Sequence, residues 1–265
     1  MSEERKIYLK KLKREKTLAT FFKIFILVGF FAVWEFAANA KLIDPFITSQ
    51  PSRVLLTIIN LYKQNSLWQH ILITTYETCM GFVLGTVLGT IIASVLWCFP
   101  FLCKVLEPYM VVLNSLPKIA LGPIFIVWIG SGPSAIIVIT LTISLIVCIM
   151  DILSGFLATD KEQIKLIKTF GGNKLQTFLK VVLPSNLPVI VNALKISVGM
   201  SWVGSIVGEF LVSKEGLGYL IVYGSQVFKL DLVMSSVLIL CLIATIMYYL
   251  VLQFEKIVLK SRRMG

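Results

Sequence analysis

Charged residues are scarce in this sequence, and the residues and motifs of common enzyme sites are scarcer still. Only 15% of the 265 residues are charged, and His70 is the single histidine, which excludes a histidine-rich metal site. The five cysteines have irregular spacing and no CxxC pair, so we expect packing residues rather than a disulfide framework or zinc site. No GxxxxGK(S/T), HExxH, GxSxG or GxGxxG motif is present, so we expect no enzyme and no nucleotide hydrolysis by this chain.

Apolar residues are abundant instead. They make up 57% of the chain, with a mean hydropathy of +0.88, and a soluble domain of this length has too little interior to bury them. A membrane-spanning helix needs about 20 apolar residues. We therefore predict an all-α membrane protein with six transmembrane helices, whose approximate bounds are 20–39, 70–98, 106–130, 134–157, 188–211 and 233–254. The first run lacks a small-residue cleavage site and is predicted to be a retained span.

The distribution of lysine and arginine predicts the orientation of the chain. The net charge is +11, and the basic residues bracket the apolar runs, which favours lipid headgroups over nucleic acid as their partner. With the N terminus inside, the cytoplasmic pieces carry 17 basic residues and the outer pieces carry five. The chain then divides into a basic cytoplasmic segment 1–19, a membrane domain 20–255 and a basic cytoplasmic tail 256–265, with both termini inside.

Small residues and prolines predict how the spans pack. Glycines spaced four apart indicate close helix contact at Gly81, Gly85 and Gly89 in the second span and at Gly204 and Gly208 in the fifth. Ordinary packing within the chain, a dimer face and a transport path all remain open for these positions. Pro108, Pro117 and Pro123 interrupt the third span, which predicts a broken helix. Such breaks line transport paths or serve packing alone.

A polar stretch at 160–190, DKEQIKLIKTFGGNKLQTFLKVVLPSNLPVI, separates the fourth and fifth spans. Apolar residues follow helical spacing on both sides of a Gly171-Gly172 break. The pattern predicts a short amphipathic helix, a glycine turn and a second helix that ends at Pro184. Periodicity alone leaves two uses open: docking into a cytoplasmic partner, or resting on lipid headgroups.

The spacing within this stretch resembles a known motif. Permease subunits of bacterial ABC importers carry EAA, three residues, Gly, nine residues and Ile-x-Leu-Pro; here Gly171 is followed at that spacing by Val181-Val182-Leu183-Pro184, whereas Lys165-Leu166-Ile167 stand in place of EAA. Four further segments are similar to the nitrate/sulfonate/taurine branch of that family: VWEFAA in the first span, QPSRV at 50–54, LPKIALGPIFIVWIG at 116–130 and GEFLVSKEGLGYLI at 208–221.

The resemblance implies a type I ABC importer permease fold in a bacterial plasma membrane. It implies a homodimer that encloses the path, an extracytoplasmic binding protein that delivers the substrate, and ATP used by separate ATPase subunits, with no cofactor bound by this chain. The loop 160–184 would contact the ATPase. Its expected coupling residues are Leu166, Ile167, Phe170, Gly171, Gly172, Asn173, Leu183 and Pro184.

Ionisable residues within the spans are candidates for function. Lys118 follows a predicted kink, with Asn114 and Ser115 one turn back, and would suit an anionic solute; the alternative is a cation neutralised by Glu107, Glu209 or a helix C-terminal end. The predicted path residues are Asn114, Ser115, Lys118, Ser201, Trp202 and Glu209. We expect Glu35, Glu77 and Glu209 to reach water near the outer ends of their spans, Lys195 to extend inward, and Glu107 and Asp151 to be structural.

One functional alternative from another class remains. An ion-coupled secondary carrier or channel would work without an ATPase, but it would need coupling groups at mid-membrane. Carboxylates are nearly absent there, and the polar loop at 160–184 would have no evident use.

Overall fold

The computed structural model describes residues 3–263 of the chain, and these residues form a bundle of helices joined by short connections. Helix α1 runs unbroken through Glu3–Asn39, because neither proline nor glycine interrupts the sequence before Gly29. The basic N-terminal segment and the first span are therefore one helix, and no helix boundary occurs at residues 19–20. Two short helices follow, α2 at Pro45–Thr48 and α3 at Pro51–Lys63, each with proline in its first turn.

Three long helices form the centre of the bundle. They are α4 (Leu67–Cys98), α7 (Pro133–Leu157) and α11 (Leu187–Val212). Between α4 and α7 lie α5 (Pro100–Ser115), a 3₁₀ turn (Lys118–Leu121) and α6 (Gly122–Ile129).

The remaining elements follow α7 in the chain. The loop contains α8 (Lys161–Thr169), α9 (Lys174–Thr177), a π turn (Phe178–Val182) and α10 (Leu183–Ser185). After α11 come α12 (Leu217–Gln226) and α13 (Leu230–Arg263). We call the end of the bundle that carries residues 158–187 the loop end, and the other end the opposite end.

The glycine-rich faces of α4 and α11 both pack against α7. Along α4, side chains added at Gly81, Gly85 and Gly89 would meet Thr140, Ser144 and Cys148, in that order. On α11, a Cβ at Gly204 would lie 2.6 Å from the Thr140 Cα atom. The glycines thus allow close helix approach within one chain. Of the three uses that the sequence left open, packing within the chain is confirmed.

The order of these contacts also gives the helix directions. Residue numbers rise together along α4 and α7, so these two helices are parallel, whereas α11 runs against α7, with Gly208 beside Ile136. The segment between α4 and α7 must therefore return from the loop end to the opposite end. Within residues 3–263, five helices are long and apolar enough to span a membrane, and the helix directions make the bent α5–α6 pair a sixth crossing.

The break predicted in the third span is present. Helices α5 and α6 meet at 89°, and α5 ends at Ser115, immediately before Leu116 and Pro117. The residue before a proline is disfavoured in helical conformation, and Leu116 has the extended ψ of 140°. The span is longer than predicted, since α5 already begins at Pro100. Pro108 lies inside α5 and does not end it.

Candidate functional site

The loop forms the helix–turn–helix that the sequence predicts. Asp160 caps α8 by accepting a hydrogen bond from the Glu162 backbone N–H at 2.9 Å. Gly171 turns the chain with φ of 77°, a left-handed conformation that glycine adopts without strain. Asn173 and Gln176 then form a reciprocal capping box, with both bonds at 2.8 Å, that starts α9. Two caps and one glycine thus define the turn.

One face of this loop is apolar and exposed. Its members are Leu166, Phe170, Leu175 and Leu179, with exposed fractions of 56%, 80%, 60% and 51%. On the inner side, Ile164 packs against the core of the bundle, and within the loop a side chain at Gly172 would overlap Ile167. The amphipathic pattern therefore divides between a surface facing away from the bundle and a surface held against it.

Aromatic packing fixes the loop to the bundle. Phe178 is buried, with its ring centroid 5.4 Å from that of Trp97 and 5.3 Å from that of Phe156. Asn186 donates hydrogen bonds to the Thr159 hydroxyl at 2.7 Å and to the Val182 carbonyl at 2.8 Å. The second helical segment passes through Leu183 and Pro184, both half-buried, and ends at Ser185 rather than at Pro184.

The broken span carries three of the predicted path residues. Asn114 and Ser115 are exposed at the end of α5, and Lys118 is half-buried. The Lys118 ammonium donates to the Asn114 backbone carbonyl at 2.9 Å and to its side-chain oxygen at 3.4 Å. A helix C-terminal end, one of the alternatives posed by the sequence, is thus its partner here, rather than Glu107 or Glu209.

The candidates Ser201 and Trp202 lie on α11 rather than on the broken span. Ser201 is fully buried in α11, and Trp202, 5% exposed, packs among α12 and α13 side chains that include Leu217 and Leu240. Neither the Ser201 hydroxyl nor the Trp202 indole N–H has a hydrogen-bond partner among the described residues. The predicted path residues thus divide between the broken span and α11, and their role in a path stays a prediction.

Glu209 caps a helix. Its carboxylate accepts hydrogen bonds from the backbone N–H groups of Gly218 at 2.6 Å and Tyr219 at 3.2 Å. The preceding two N–H groups donate to other side chains: Leu217 to the Thr74 hydroxyl and Gly216 to the His70 ring Nδ1. All four N–H groups at the start of α12, which no helix can satisfy internally, are thereby bonded.

This cap was missed by reasoning from sequence, and it corrects the expected setting of two carboxylates. Glu77 and Glu209 are each 1% exposed. Contrary to the expectation, neither side chain reaches water within the chain. Glu77 Oε2 and Glu209 Oε1 have no hydrogen-bond partner among the described residues. The available signal was Gly216-x-Gly218 shortly after Glu209, since glycines at a helix start let a carboxylate approach the backbone.

Two of the other charged candidates, Glu35 and Lys195, also have partners within the chain. Glu35 accepts hydrogen bonds from the Ser52 N–H at 3.0 Å and hydroxyl at 2.9 Å, so it caps α3 from α1. Lys195 forms an ion pair with Glu255 of α13 at 3.1 Å. Asp151 is half-buried on α7, and its Oδ2 has no hydrogen-bond partner among the described residues.

Comparison with known proteins identifies the chain. Residues 85–263 match the family model for the inner membrane component of binding-protein-dependent transport systems. A "Probable ABC transporter permease protein" of Haemophilus influenzae is 30% identical, covering 82% of this chain and 88% of the relative. An Escherichia coli permease named for aliphatic sulfonates transport is 27% identical, covering 83% of each chain.

The fold has a counterpart among solved structures. An inward-facing structure of the MetNI methionine ABC transporter matches with a TM-score of 0.59 and 19% identity, covering 73% of this chain and 94% of that chain. The family model and the sequence relatives confirm the family predicted from the loop spacing and from the flanking motifs. This chain belongs to the inner membrane component family of binding-protein-dependent transport systems, as an ABC importer permease.

Proposed function

We propose that this chain forms the path of an ATP-driven importer as a homodimer and that its loop 160–184 transmits the motion of an ATPase. One observation carries the proposal: the loop combines an exposed apolar face with a rigid attachment to the bundle. Phe170, at 80% exposure, faces away from the bundle, while Phe178, 6% exposed, lies inside it. A partner that pushes on the first surface moves the helices around the second.

The loop end is assigned to the cytoplasm. The pieces at that end carry 17 lysine and arginine residues, against five at the opposite end, and cytoplasmic loops are enriched in these residues. A cytoplasmic ATPase then meets the exposed apolar face of α8 and α9. An extracytoplasmic binding protein meets the opposite end, near α3 and α12. In this orientation both termini are cytoplasmic, and the membrane is the bacterial plasma membrane.

Exposed polar groups on the broken span support a second copy. Asn114 and Ser115 are exposed, yet the start of α6 after them packs within the bundle, since Gly122 is buried and a side chain added there would meet Leu211. Polar side chains at this depth are costly against lipid and favour a protein contact or a water-filled path. A second chain placed against α5 and α6 would cover them and enclose such a path.

The proposed solute is a small anion such as a sulfonate. Lys118 supplies a cation at the break, where its ammonium donates to the Asn114 carbonyl at the C-terminal end of α5. One relative is named for the transport of aliphatic sulfonates, which are anions. Another relative is named for formylaminopyrimidine transport, so the names of the relatives alone do not favour an anion. The proposal of an anionic solute therefore rests on Lys118.

The test is purification of the tagged chain from its native membrane in a gentle detergent, followed by mass spectrometry. We expect a roughly equimolar ATPase with a GxxxxGK(S/T) motif, and we expect its loss in a Leu166→Ala, Phe170→Ala variant. Phe101→Ala is the matched control, because Phe101 is 81% exposed at the loop end but lies outside the loop.

Two outcomes would contradict the proposal. Retention of the ATPase by the loop variant would place the contact elsewhere on the chain. A homo-oligomer without ATPase that takes up solute in liposomes under an ion gradient would establish the carrier instead.

A further inference from the structure

A cavity lies at the loop end between the loop and the bundle. Its volume is about 480 Å³, and the ends of α4 and α7, the start of α5, and helices α8 and α9 enclose it. Its inner wall is apolar and includes Leu96, which is 2% exposed, with Trp97 and Cys103 beside it. This volume lies in the range of sites that bind small molecules, and the proposed path and the exposed loop face do not use it.

Three lysines from separate elements line the outer part of this cavity. Lys104 extends from α5, Lys168 from α8 and Lys174 from α9, and the one acidic lining residue is Glu107. Within the part of the chain that the structure describes, none of the three ammonium groups has a carboxylate oxygen within 4.0 Å. The cavity therefore has a positive excess that its own residues leave uncompensated, and it suits an anionic ligand.

We propose that this cavity binds the headgroup of an anionic phospholipid. The argument is the combination of lysines with apolar surface that continues out of the cavity. Leu157 lines it and is 58% exposed, and Phe101, adjacent to the lining residue Pro100, is 81% exposed. A lipid phosphate pairs with the lysines while its acyl chains cover Leu157 and Phe101; a free phosphate ion leaves that surface bare. Basic pockets beside membrane helices on the cytoplasmic side bind anionic headgroups in this way.

The bound lipid would connect the loop to the bundle. Lys104 belongs to a membrane helix, whereas Lys168 and Lys174 belong to the two helices of the loop. One phosphate that contacts both groups holds the loop in a defined position. The assignment of this site to the cytoplasmic leaflet rests on the orientation given under Proposed function. The lipid binding itself does not require an ATPase.

The first test uses the purified full-length chain without partners in a neutral detergent. Binding of phosphatidylglycerol and of phosphatidylcholine is titrated by native mass spectrometry. We compare the wild type with a Lys104→Gln, Lys168→Gln, Lys174→Gln variant. The matched control is Lys161→Gln, Lys165→Gln, Lys180→Gln, which removes the same charge from exposed positions of the same loop that do not line the cavity.

We expect the wild type to prefer phosphatidylglycerol and the cavity variant to bind it at least about tenfold more weakly. The control should bind like the wild type. Equal weakening in both variants would show attraction to general positive charge and would overturn the site, as would unchanged binding in the cavity variant. Full displacement of phosphatidylglycerol by millimolar inorganic phosphate would identify a free-anion site instead.

A second measurement leaves every lysine in place. Trp97 lines the cavity, so phosphatidylglycerol brominated on its acyl chains should quench tryptophan fluorescence more than brominated phosphatidylcholine does. A Trp97→Phe variant should lose that excess. Equal quenching by the two lipids, or an excess that persists in Trp97→Phe, would overturn the proposal. Because no ATPase is present, either result is independent of the pull-down that tests the importer.

Discussion

Two carboxylates within apolar helices serve backbone groups of neighbouring elements. Glu35 of α1 bonds to Ser52 at the start of α3, and Glu209 of α11 bonds to Gly218 and Tyr219 at the start of α12. A carboxylate near a helix N-terminus is stabilised by the free N–H groups there. The first contact joins the VWEFAA and QPSRV segments, and the second lies within GEFLVSKEGLGYLI, so three of the quoted segments have a physical basis in capping.

At the residue scale, the turn of the loop depends on Gly171. Its φ is 77° and no atom lies within 4 Å of an added Cβ, so backbone conformation alone limits substitution. We expect Gly171→Val to lower ATP-dependent uptake by about tenfold, because a β-branched residue in this region is strained by roughly 1–3 kcal/mol. Gly171→Asn, which tolerates the conformation, should retain most uptake. Uptake in membrane vesicles measures both, and normal uptake by Gly171→Val would refute the role of the turn.

Lys118 offers a second test at the same scale. Lys118→Met removes the cation and its bond to the Asn114 carbonyl. Because a hydrogen bond to a charged group contributes about 1.5–3 kcal/mol, we expect uptake of an anionic solute to fall by about tenfold or more. Uptake of a neutral solute should not fall. Lys118→Arg keeps the charge and serves as the control. Anion uptake that is unchanged in Lys118→Met would remove this residue from the path.

At the scale of elements, α12 depends on caps supplied by other helices. Glu209→Ala leaves the Gly218 and Tyr219 N–H groups without their acceptor, so we expect a loss of roughly 2–4 kcal/mol in stability. Glu209→Gln keeps one acceptor oxygen and should lose less. Thermal unfolding in detergent, followed by tryptophan fluorescence, ranks the two variants against the wild type. A Glu209→Ala protein as stable as the wild type would show that the cap is dispensable.

The contact of α11 with α7 gives another element-scale prediction. A Cβ at Gly204 would lie 2.6 Å from the Thr140 Cα, which is backbone and cannot rotate away, whereas a Cβ at Gly199 meets nothing within 4 Å. We expect Gly204→Ala to destabilise the bundle by about 1–3 kcal/mol. Gly199→Ala, in the same helix, should be neutral or slightly stabilising because alanine favours helix. Equal unfolding temperatures for the two variants would contradict close packing at Gly204.

At the scale of the whole molecule, the orientation can be measured directly. In a background without the five native cysteines, Gln64→Cys should react with a membrane-impermeant maleimide in intact cells, since it follows the end of α3 on the side proposed to be extracytoplasmic. Lys165→Cys, in the loop, should react only after permeabilisation. The asymmetry of basic residues predicts this result. The reverse pattern would invert the proposed topology and separate the loop from a cytoplasmic ATPase.

The parallel direction of α4 and α7 decides the number of crossings. Among the residues that the structure describes, length and composition alone give five clear spans and one bent pair, and a re-entrant segment would also account for that pair. Because the contacts of Gly81, Gly85 and Gly89 advance along α7 in the same direction, α5 and α6 must cross between them. The bend leaves Asn114 and Ser115 exposed at the end of α5, where a second copy is proposed.

The sequence by itself determined the apolar spans, the break at Pro117, the helix–turn–helix at Gly171 and the family. These features depend on local rules: hydropathy over about 20 residues, the missing N–H of proline and the conformational freedom of glycine. Residues close in the chain are sufficient to express them, so a single sequence reveals them.

Only the tertiary structure decided what the charged and small residues contact. Glu209 bonds to the start of α12, and Lys195 pairs with Glu255, 60 positions away. Gly81 packs on α7 rather than on another copy. The partners of Lys195 and Gly81 lie far apart in the chain, and the partner of Glu209, although only nine positions away, belongs to another helix. The choice among such partners depends on how the helices pack, because each buried polar group must find a partner that its own helix does not supply.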